Sequence, residues 1–409
     1  MSSPFHPRPF TDYIIFSPLA AFIYPVHHLL NRLRGPPRLP PPNAHPIRVV
    51  CISDTHTLEW ADIPDGDLLI HAGDLSNDGS AREIQQAVNW LRRLPHAHKV
   101  VICGNHDSYF DVRSRRPEDR DDAAAAAAAA SSYATISSST ASLRSLPSDD
   151  LDRIDWGDIH YLQHSSITLT FPATSPSPSV PSSSSSQTTP LLHYHYHHPN
   201  NNRPRTLTLY GAPQIPAIAP LGPEHAFTYP PQHDAWAGTV PASTDILITH
   251  TPPAAHLDLS PIFSTGCPAL LAEAWRVRPA LHVFGHIHAA YGLERCYYDE
   301  AQHAWERLCA ARRPRARRSR LRALVTGGIR DLLDVAGWVD AARVVIYGVL
   351  GIVWAKVWGG ENAGCGWMVN AAAMYRDEGV LRNKPQVVVL QARRERIGVQ
   401  EQRYSNKIQ

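Results

Sequence analysis

The chain has 409 residues, 43% of them apolar and 19% charged, so a large folded domain with a substantial core is within reach. The formal net charge is only +2, which excludes a global design for polyanions and makes any attraction for phosphate a local matter. The six cysteines, Cys51, Cys103, Cys267, Cys296, Cys309 and Cys365, form no CxxC pair; a chain this long does not need disulfides, and a reducing compartment is expected.

The first notable stretch is Tyr13 to Leu30, mostly apolar but interrupted by Pro18, Pro25, His27 and His28. Arg8 is the only base before it and no A-x-A cleavage site is evident, so it does not read as a secretory signal. A membrane span wants about 20 clean apolar residues. The expectation is an amphipathic segment that packs on the domain or rests on a membrane surface. Residues 35–46 form a Pro-rich linker. A single domain is expected over 47–391, after the apolar segment and linker of 1–46 and before a tail at 392–409.

Short apolar, β-branched runs follow at 47–53, 67–73, 99–104, 205–211, 244–250, 281–286 and 384–390. Several are continuous rather than alternating, as in strands buried on both faces. Residues 80–94 have helical apolar spacing, with Ser80 as N-cap and Glu83 three residues on. Strands with a helix between them predict an α/β layered domain. Residues 111–150 and 172–204 sustain no such period; they read as loops grown by low-complexity insertion. The histidines at 193, 195, 197 and 198 lie in the second loop and are assigned to the same drift.

The runs stop on chemically similar residues. The first ends at Asp54-Thr55-His56, the second at Gly73-Asp74 and the third at Gly104-Asn105-His106-Asp107; later runs end at His250 and at Gly285-His286-Ile287-His288. Parallel strands present their carboxyl ends at one sheet edge, where ligands bind. Residues more than two hundred positions apart can therefore converge. Asp54, His56, Asp74, Asn105, His250, His286 and His288 supply oxygen and nitrogen donors and no thiolate, which suits Mn, Fe or Zn. Seven ligands exceed one tetrahedral ion and are enough for two ions sharing a carboxylate. Two divalent ions bring four positive charges and the two carboxylates return only two, leaving a site attractive to hydroxide and phosphate. Such pairs clamp the attacking and leaving oxygens of an in-line displacement. His71, inside a strand, reads as a buried hydrogen-bonded histidine rather than a ligand.

These motifs, D-x-H, G-D, G-N-H-D, a lone histidine after a strand and G-H-x-H, occur in this order in calcineurin-like metallophosphoesterases. The chain resembles that superfamily, and within it the metallophosphoesterase-domain-containing group, through LIHAGD, ICGNHD, YGAPQIP, DILITHTPP, GCPALL and RPALHVFGHIHAAYG, with VNAA and NKPQVVVL more weakly near the end. The resemblance implies an α/β four-layer sandwich of two mixed β-sheets flanked by helices. It implies one metal on Asp54, His56, Asp74 and His288 and a second on Asp74, Asn105, His250 and His286, with Asp74 bridging. His106 would bind phosphate and protonate the leaving oxygen, and Asp107 would orient it. The implied reaction is hydrolysis of a small phosphoester, a diester in preference, by in-line attack of a metal-bridging hydroxide. The alternatives are a phosphomonoesterase, a nuclease, or a metal- or nucleotide-binding regulator.

Two departures stand out. Protein phosphatases of the superfamily carry Asp-Arg-Gly after the G-D, whereas this chain reads GDLSNDG. A long insertion, about 293–365, separates G-H-I-H from the closing strand. It contains the basic run 312–322 and the apolar run 344–355. No basic groove signals nucleic acid between 80 and 98. A cytoplasmic protein is expected, and the basic and apolar runs together leave peripheral membrane association open.

Overall fold

The computed structural model of the chain describes residues 11, 14–15, 17–36, 46–115, 119, 154–172, 205–217, 226–260, 264–311, 328–358, 365–375 and 378–390. The first sheet has the strand order β13-β1-β2-β3-β4. Strands β1 (Ile47–Ile52), β2 (Leu68–Ala72), β3 (His98–Ile102) and β4 (Ile159–Tyr161) run parallel, and β13 (Gln386–Leu390) joins β1 antiparallel. The second sheet has the order β11-β12-β10-β9-β6-β5. Its members are β5 (Ser165–Phe171), β6 (Arg205–Ala212), β9 (Ile246–Thr249), β10 (Leu281–Phe284), β11 (Gly292–Cys296) and β12 (Gly366–Asn370). The central pairs β6·β9, β9·β10 and β10·β12 are parallel, and the two outer pairs are antiparallel. Short β7 (Ile215–Pro216) and β8 (Thr228–Tyr229) pair separately.

Period-two alternation distributes each central strand between two cores. Val49, Cys51, Leu68, Ile70, Val100 and Ile102 point between the sheets and meet Leu209, Ile246, Ile248 and Val283 of the second. Val50, Ile52, Leu69 and Val101 point outward onto Ile84, Val88 and Leu91 of helix α2 (Ala81–Arg92). Ser80 Oγ accepts from Glu83 N at 3.3 Å as the expected cap, while Glu83 Oε2 accepts from Asn77 N and Asp78 N, both at 2.9 Å. On the far side, Leu270 and Val277 of α3 (Pro268–Val277) cover Tyr210 and Leu247. Helix, sheet, sheet, helix is the four-layer order that the family resemblance implies. All six cysteines are free.

A further helical layer joins the two ends of the sequence. The apolar segment near the N-terminus is helical over α1 (Pro18–Arg34). It packs with α4 (Glu300–Ala310), the short α5 (Ile329–Leu332) and α6 (Val335–Lys356). Leu19 and Ile23 meet Trp305, Leu308, Ala341 and Val344 in one buried cluster, which also takes in Ala255 from the loop after β9. Part of the segment read as an insertion is integral to the sheet, because β11 pairs with β12 from Gly292↔Asn370 to Cys296↔Gly366. Among the described residues, α6 is the one helix long and apolar enough to cross a membrane. The histidine cluster at 193–198 and the basic run 312–322 lie outside the described residues.

Candidate metal centre

The loops leaving β1, β2, β3, β9 and β10 carry the expected ligands, and they meet at one edge of the paired sheets. His288 Nε2 is 3.2 Å from Asp54 Oδ1. His56 Nε2 is 3.7 Å from Asp74 Oδ2, and His250 Nε2 is 3.3 Å from the same oxygen. Asn105 Oδ1 lies 3.0 Å from His250 Nε2 and 2.9 Å from His286 Nδ1. His286 N donates to Asp54 Oδ1 at 3.0 Å, which joins the two sets, and the burial around Asp54, Asp74 and His250 is complete or nearly so.

These spacings fit metal coordination. Ligand atoms about 2.1 Å from one ion and at right angles to one another are ~3 Å apart. Asn105 Oδ1 has such separations from His250 Nε2 and His286 Nδ1, and His250 Nε2 has one close to it from Asp74 Oδ2. Ligand atoms of Asp54, His56 and His288 form a second compact group, and those of Asp54, Asp74 and His250 a third, each lying within 4.8 Å of one another. His56 Nε2 is buried without a hydrogen-bond partner, a costly state for an imidazole nitrogen unless a cation takes its lone pair. The donor set and this orphaned atom fit a pair of divalent ions.

Backbone geometry makes the approach. Asp54, His56, Asp74 and His286 have φ of 54°, 46°, 55° and 67°. Left-handed conformations outside glycine are sparse, and they concentrate at functional sites. Gly104 has no Cβ because one there would overlap Asp74 Oδ1 and stand 2.6 Å from His250 Cε1. Gly73, at φ 98°, lies where a Cβ would come within 2.5 Å of His250 Nδ1.

The surrounding hydrogen bonds set tautomers. His250 Nδ1 is 2.9 Å from the Ala72 carbonyl, which can only accept, so Nδ1 carries a proton and Nε2 is the nitrogen turned inward toward Asp74. His106 Nδ1 is 3.1 Å from the Asn77 carbonyl and is held the same way, while His106 N donates to Asp74 Oδ1 at 2.9 Å. The His106 ring stands against that of His56, centroids 4.7 Å apart, with ligand atoms of His56, Asp74 and His106 close enough to share an ion. His106 is therefore at the centre, in reach of whatever the ligands hold.

Burial raises Asp54, but the hydrogen bond and charge of His288 and the charge of His250 outweigh it and hold the carboxyl at about 2. Burial likewise opposes ionisation of Asp74, and His250 and His106 overcome it, leaving the group well below the usual carboxylate range. His286 is pushed down to about 3 by burial and by neighbouring His250, and burial lowers His56 too. His250 goes the other way: burial lowers it, but Asp74 and Asp54 raise it to about 9, so a cation on its Nε2 would displace a proton, whereas the carboxylates and the neutral His56 and His286 are already in cation-binding form.

Asp107 takes a different place from the one expected. Its Oδ2 accepts from Gly104 N at 2.8 Å and Leu75 N at 3.1 Å, and its Oδ1 from Ser76 N at 2.9 Å and Ser76 Oγ at 2.7 Å. Four donors fill its lone pairs. Asp107 thus staples the Asp74 loop to the loop that carries Asn105 and His106. His71 behaves as expected: it is fully buried, its Nε2 is 3.0 Å from Thr55 Oγ1, and burial drives its pKa down to about 3.

Sequence reading missed two supports. Asn77 offers its carbonyl to His106 and donates through Nδ2 to His56 O at 3.1 Å. Asn370, fully buried, donates to Ile287 O at 3.0 Å and Leu257 O at 3.2 Å, and so braces the G-H-I-H turn. The VNAA text that contains Asn370 was its only trace in the sequence.

Comparison with known proteins places the chain in a family. The chain is 31% identical to UPF0046 protein K07C11.7 of Caenorhabditis elegans, over 62% of this chain and 68% of the other. It is 30% identical to metallophosphoesterase domain-containing protein 1 of Homo sapiens, over 60% of this chain and 62% of the other. A probable rhamnogalacturonate lyase C of Emericella nidulans shares 31% identity over 64% of this chain, but the match spans just 19% of that protein. A model of the calcineurin-like phosphoesterase family matches residues 47–290, which hold all seven ligand candidates, and the chain belongs to that family.

Proposed function

We propose that the protein is a phosphodiesterase, with Asp54, His56, Asp74 and His288 holding one divalent ion and Asp74, Asn105, His250 and His286 a second. The observation that supports this most directly is the placement of Asp74 Oδ2, 3.7 Å from His56 Nε2 and 3.3 Å from His250 Nε2, between the two groups of ligands. When bound, the ions supply an acidified water for in-line attack and positive charge for the phosphoryl oxygens.

The chain's own residues do the rest. His106 keeps Nδ1–H on the Asn77 carbonyl, so Nε2 acts as general acid in the imidazolium form, passing its second proton to the departing oxygen and returning to the neutral Nδ1–H tautomer. Asp107 holds the two loops that fix His106 relative to Asp74. Preference for a diester follows from charge. A monoester dianion wants a further cation, but the residues after Asp74 are Leu75, Ser76 and Asn77, none of them basic. A diester carries one negative charge fewer and needs no such partner.

The test is turnover of bis-p-nitrophenyl phosphate and p-nitrophenyl phosphate by metal-stripped protein with Mn restored. Metal-dependent turnover that favours the diester is expected. Preference for the monoester would reassign the protein as a phosphatase, and two bound metals without turnover on either ester would favour a regulatory role.

A further inference from the structure

Helix α6 is unusual in what it leaves in water. Its buried stripe is Gly337, Ala341, Val344, Gly348 and Gly351, spaced three and four apart and packed on neighbouring helices. Leu30 of α1 sits where a Cβ on Gly348 would be, and the Arg34 guanidinium lies over Gly351. The opposite faces are apolar. Ile346 is 56% exposed, Leu350 53% and Trp354 53%, with Trp338 exposed near the first turn and Trp358 just past the last. On the adjoining α1, Phe22 is 65% exposed, and Leu29 and Leu33 are exposed as well. A soluble monomer seldom shows a contiguous apolar face of this extent, and no other described residue covers it.

Charge indicates what does. Between Ala311 and Gly328, where the chain passes from α4 to α5, the sequence has seven arginines over 312–322 and no carboxylate. Lys356 and Arg343 are the exposed charges on α6 itself. An apolar helix face with tryptophans, bordered by the exposed bases Arg32, Arg343 and Lys356, matches an anionic bilayer surface: acyl chains for the apolar side chains, phosphate headgroups for those bases.

We propose that α1 and α6 form an in-plane docking surface for anionic lipid. The helices lie in the headgroup region and do not span. Asp340 of α6 is bound by Arg307 of α4 at 2.9 Å, and Arg34 at the end of α1 pairs with Asp299 ahead of α4. The inner face of α6 is therefore tied to a helix that bears Glu300, Glu306 and Arg307. Crossing a bilayer would require breaking those ties or burying them in hydrocarbon.

The test is flotation of the full-length protein with vesicles of phosphatidylcholine alone or with added phosphatidylserine, at low and raised salt, together with Ile346→Glu and Leu350→Glu. Both side chains are exposed, so both variants should keep the wild-type thermal midpoint. The expected result is salt-sensitive binding to the phosphatidylserine vesicles, weakened at least about tenfold by either glutamate, and released by alkaline carbonate. Unchanged binding in both variants would overturn the proposal. So would resistance to carbonate, which marks a span, or a lipid-free dimer in sedimentation velocity that the glutamates dissolve, which marks an interface between copies.

Discussion

His256 Nε2 lies 2.9 Å from Glu306 Oε1 inside the protein, and its Nδ1 is 3.3 Å from Glu294 Oε2. This cluster ties the loop that follows metal-ligand candidate His250 to β11 and to α4. Gln302 Nε2 and Trp275 Nε1 complete the coordination of Glu306, at 2.8 and 2.7 Å. The nearby ring of His27, from α1, is held down at about 3 by its own burial, so the charge in the cluster is carried by His256 and the two carboxylates. Burial lowers His256, but Glu294 and Glu306 together raise it to about 10.

That shift gives the stability a slope with a definite sign. The folded chain keeps a proton on His256 that the unfolded chain releases near pH 6.5, so folding binds a proton across the window from about 6.5 to about 10. The contribution is fully present below that window and is lost as pH rises through it, with a slope of at most about 1.4 kcal/mol per pH unit. Thermal melts from pH 6 to 10 should show a falling midpoint. His256→Gln should lower the midpoint at pH 6 and make the fall above pH 7 shallower, the remainder coming from His250, which Asp74 and Asp54 raise to about 9 against its burial. A wild-type midpoint rising between pH 7 and 9 would contradict the assignment.

Asp107 is expected to act on stability as well as on chemistry. Asp107→Ala strands the buried amides of Leu75, Ser76 and Gly104, each worth ~1–3 kcal/mol when unsatisfied. A loss of about 3 kcal/mol or more in urea denaturation is expected, with weaker metal binding because the two stapled loops carry Asp74 and Asn105. Asp107→Asn retains one acceptor oxygen and should fall between. A direct partner of His106 alone would lower turnover without moving the unfolding midpoint.

The sites where sequence and structure agree share one cause. Short apolar runs such as Leu68–Ile70 read as central strands, and parallel strands bring their carboxyl ends to one edge, so Asp54, Asp74, Asn105 and His250 were legible from their positions and the order of their motifs. Main-chain partners were not. Nothing in the text GDLSNDG says that the Asn77 carbonyl faces His106, or that Asp107 bonds backbone amides rather than an imidazole. Nor does periodicity show that an apolar segment at 18–34 will pack against another at 335–356, three hundred residues away. That pairing depends on small residues such as Gly348 meeting Leu30, which is a matter of three-dimensional fit.

His106→Ala should separate binding from proton transfer. His106 is not in either proposed ligand set, so metal content by elemental analysis should remain near wild type. Turnover of an alkyl phosphodiester, whose leaving oxygen needs a proton, should fall by ~10²–10⁴-fold. Turnover of the p-nitrophenyl diester, whose leaving group departs as an anion, should fall much less. Equal losses on both esters would point instead to a role in holding metal, in line with the closeness of His106 to His56 and Asp74.

Asp74→Asn and Gly104→Ala approach the bridge from opposite sides. The first preserves shape and removes charge from the one carboxylate that both ligand groups share, so both ions should be lost, by more than the ~10–100-fold that an outer hydrogen-bond partner costs. The second preserves every ligand and adds one methyl where Asp74 Oδ1 and His250 Cε1 already stand. The folded core has no room to yield there, because Gly104 sits between buried Cys103 and Asn105. Gly104→Ala should therefore weaken metal binding almost as severely while leaving the ligand list intact. If elemental analysis found two ions per chain in Gly104→Ala and none in Asp74→Asn, the loops would be softer than the structure shows. If it found two in Asp74→Asn, Asp74 would not be the bridge.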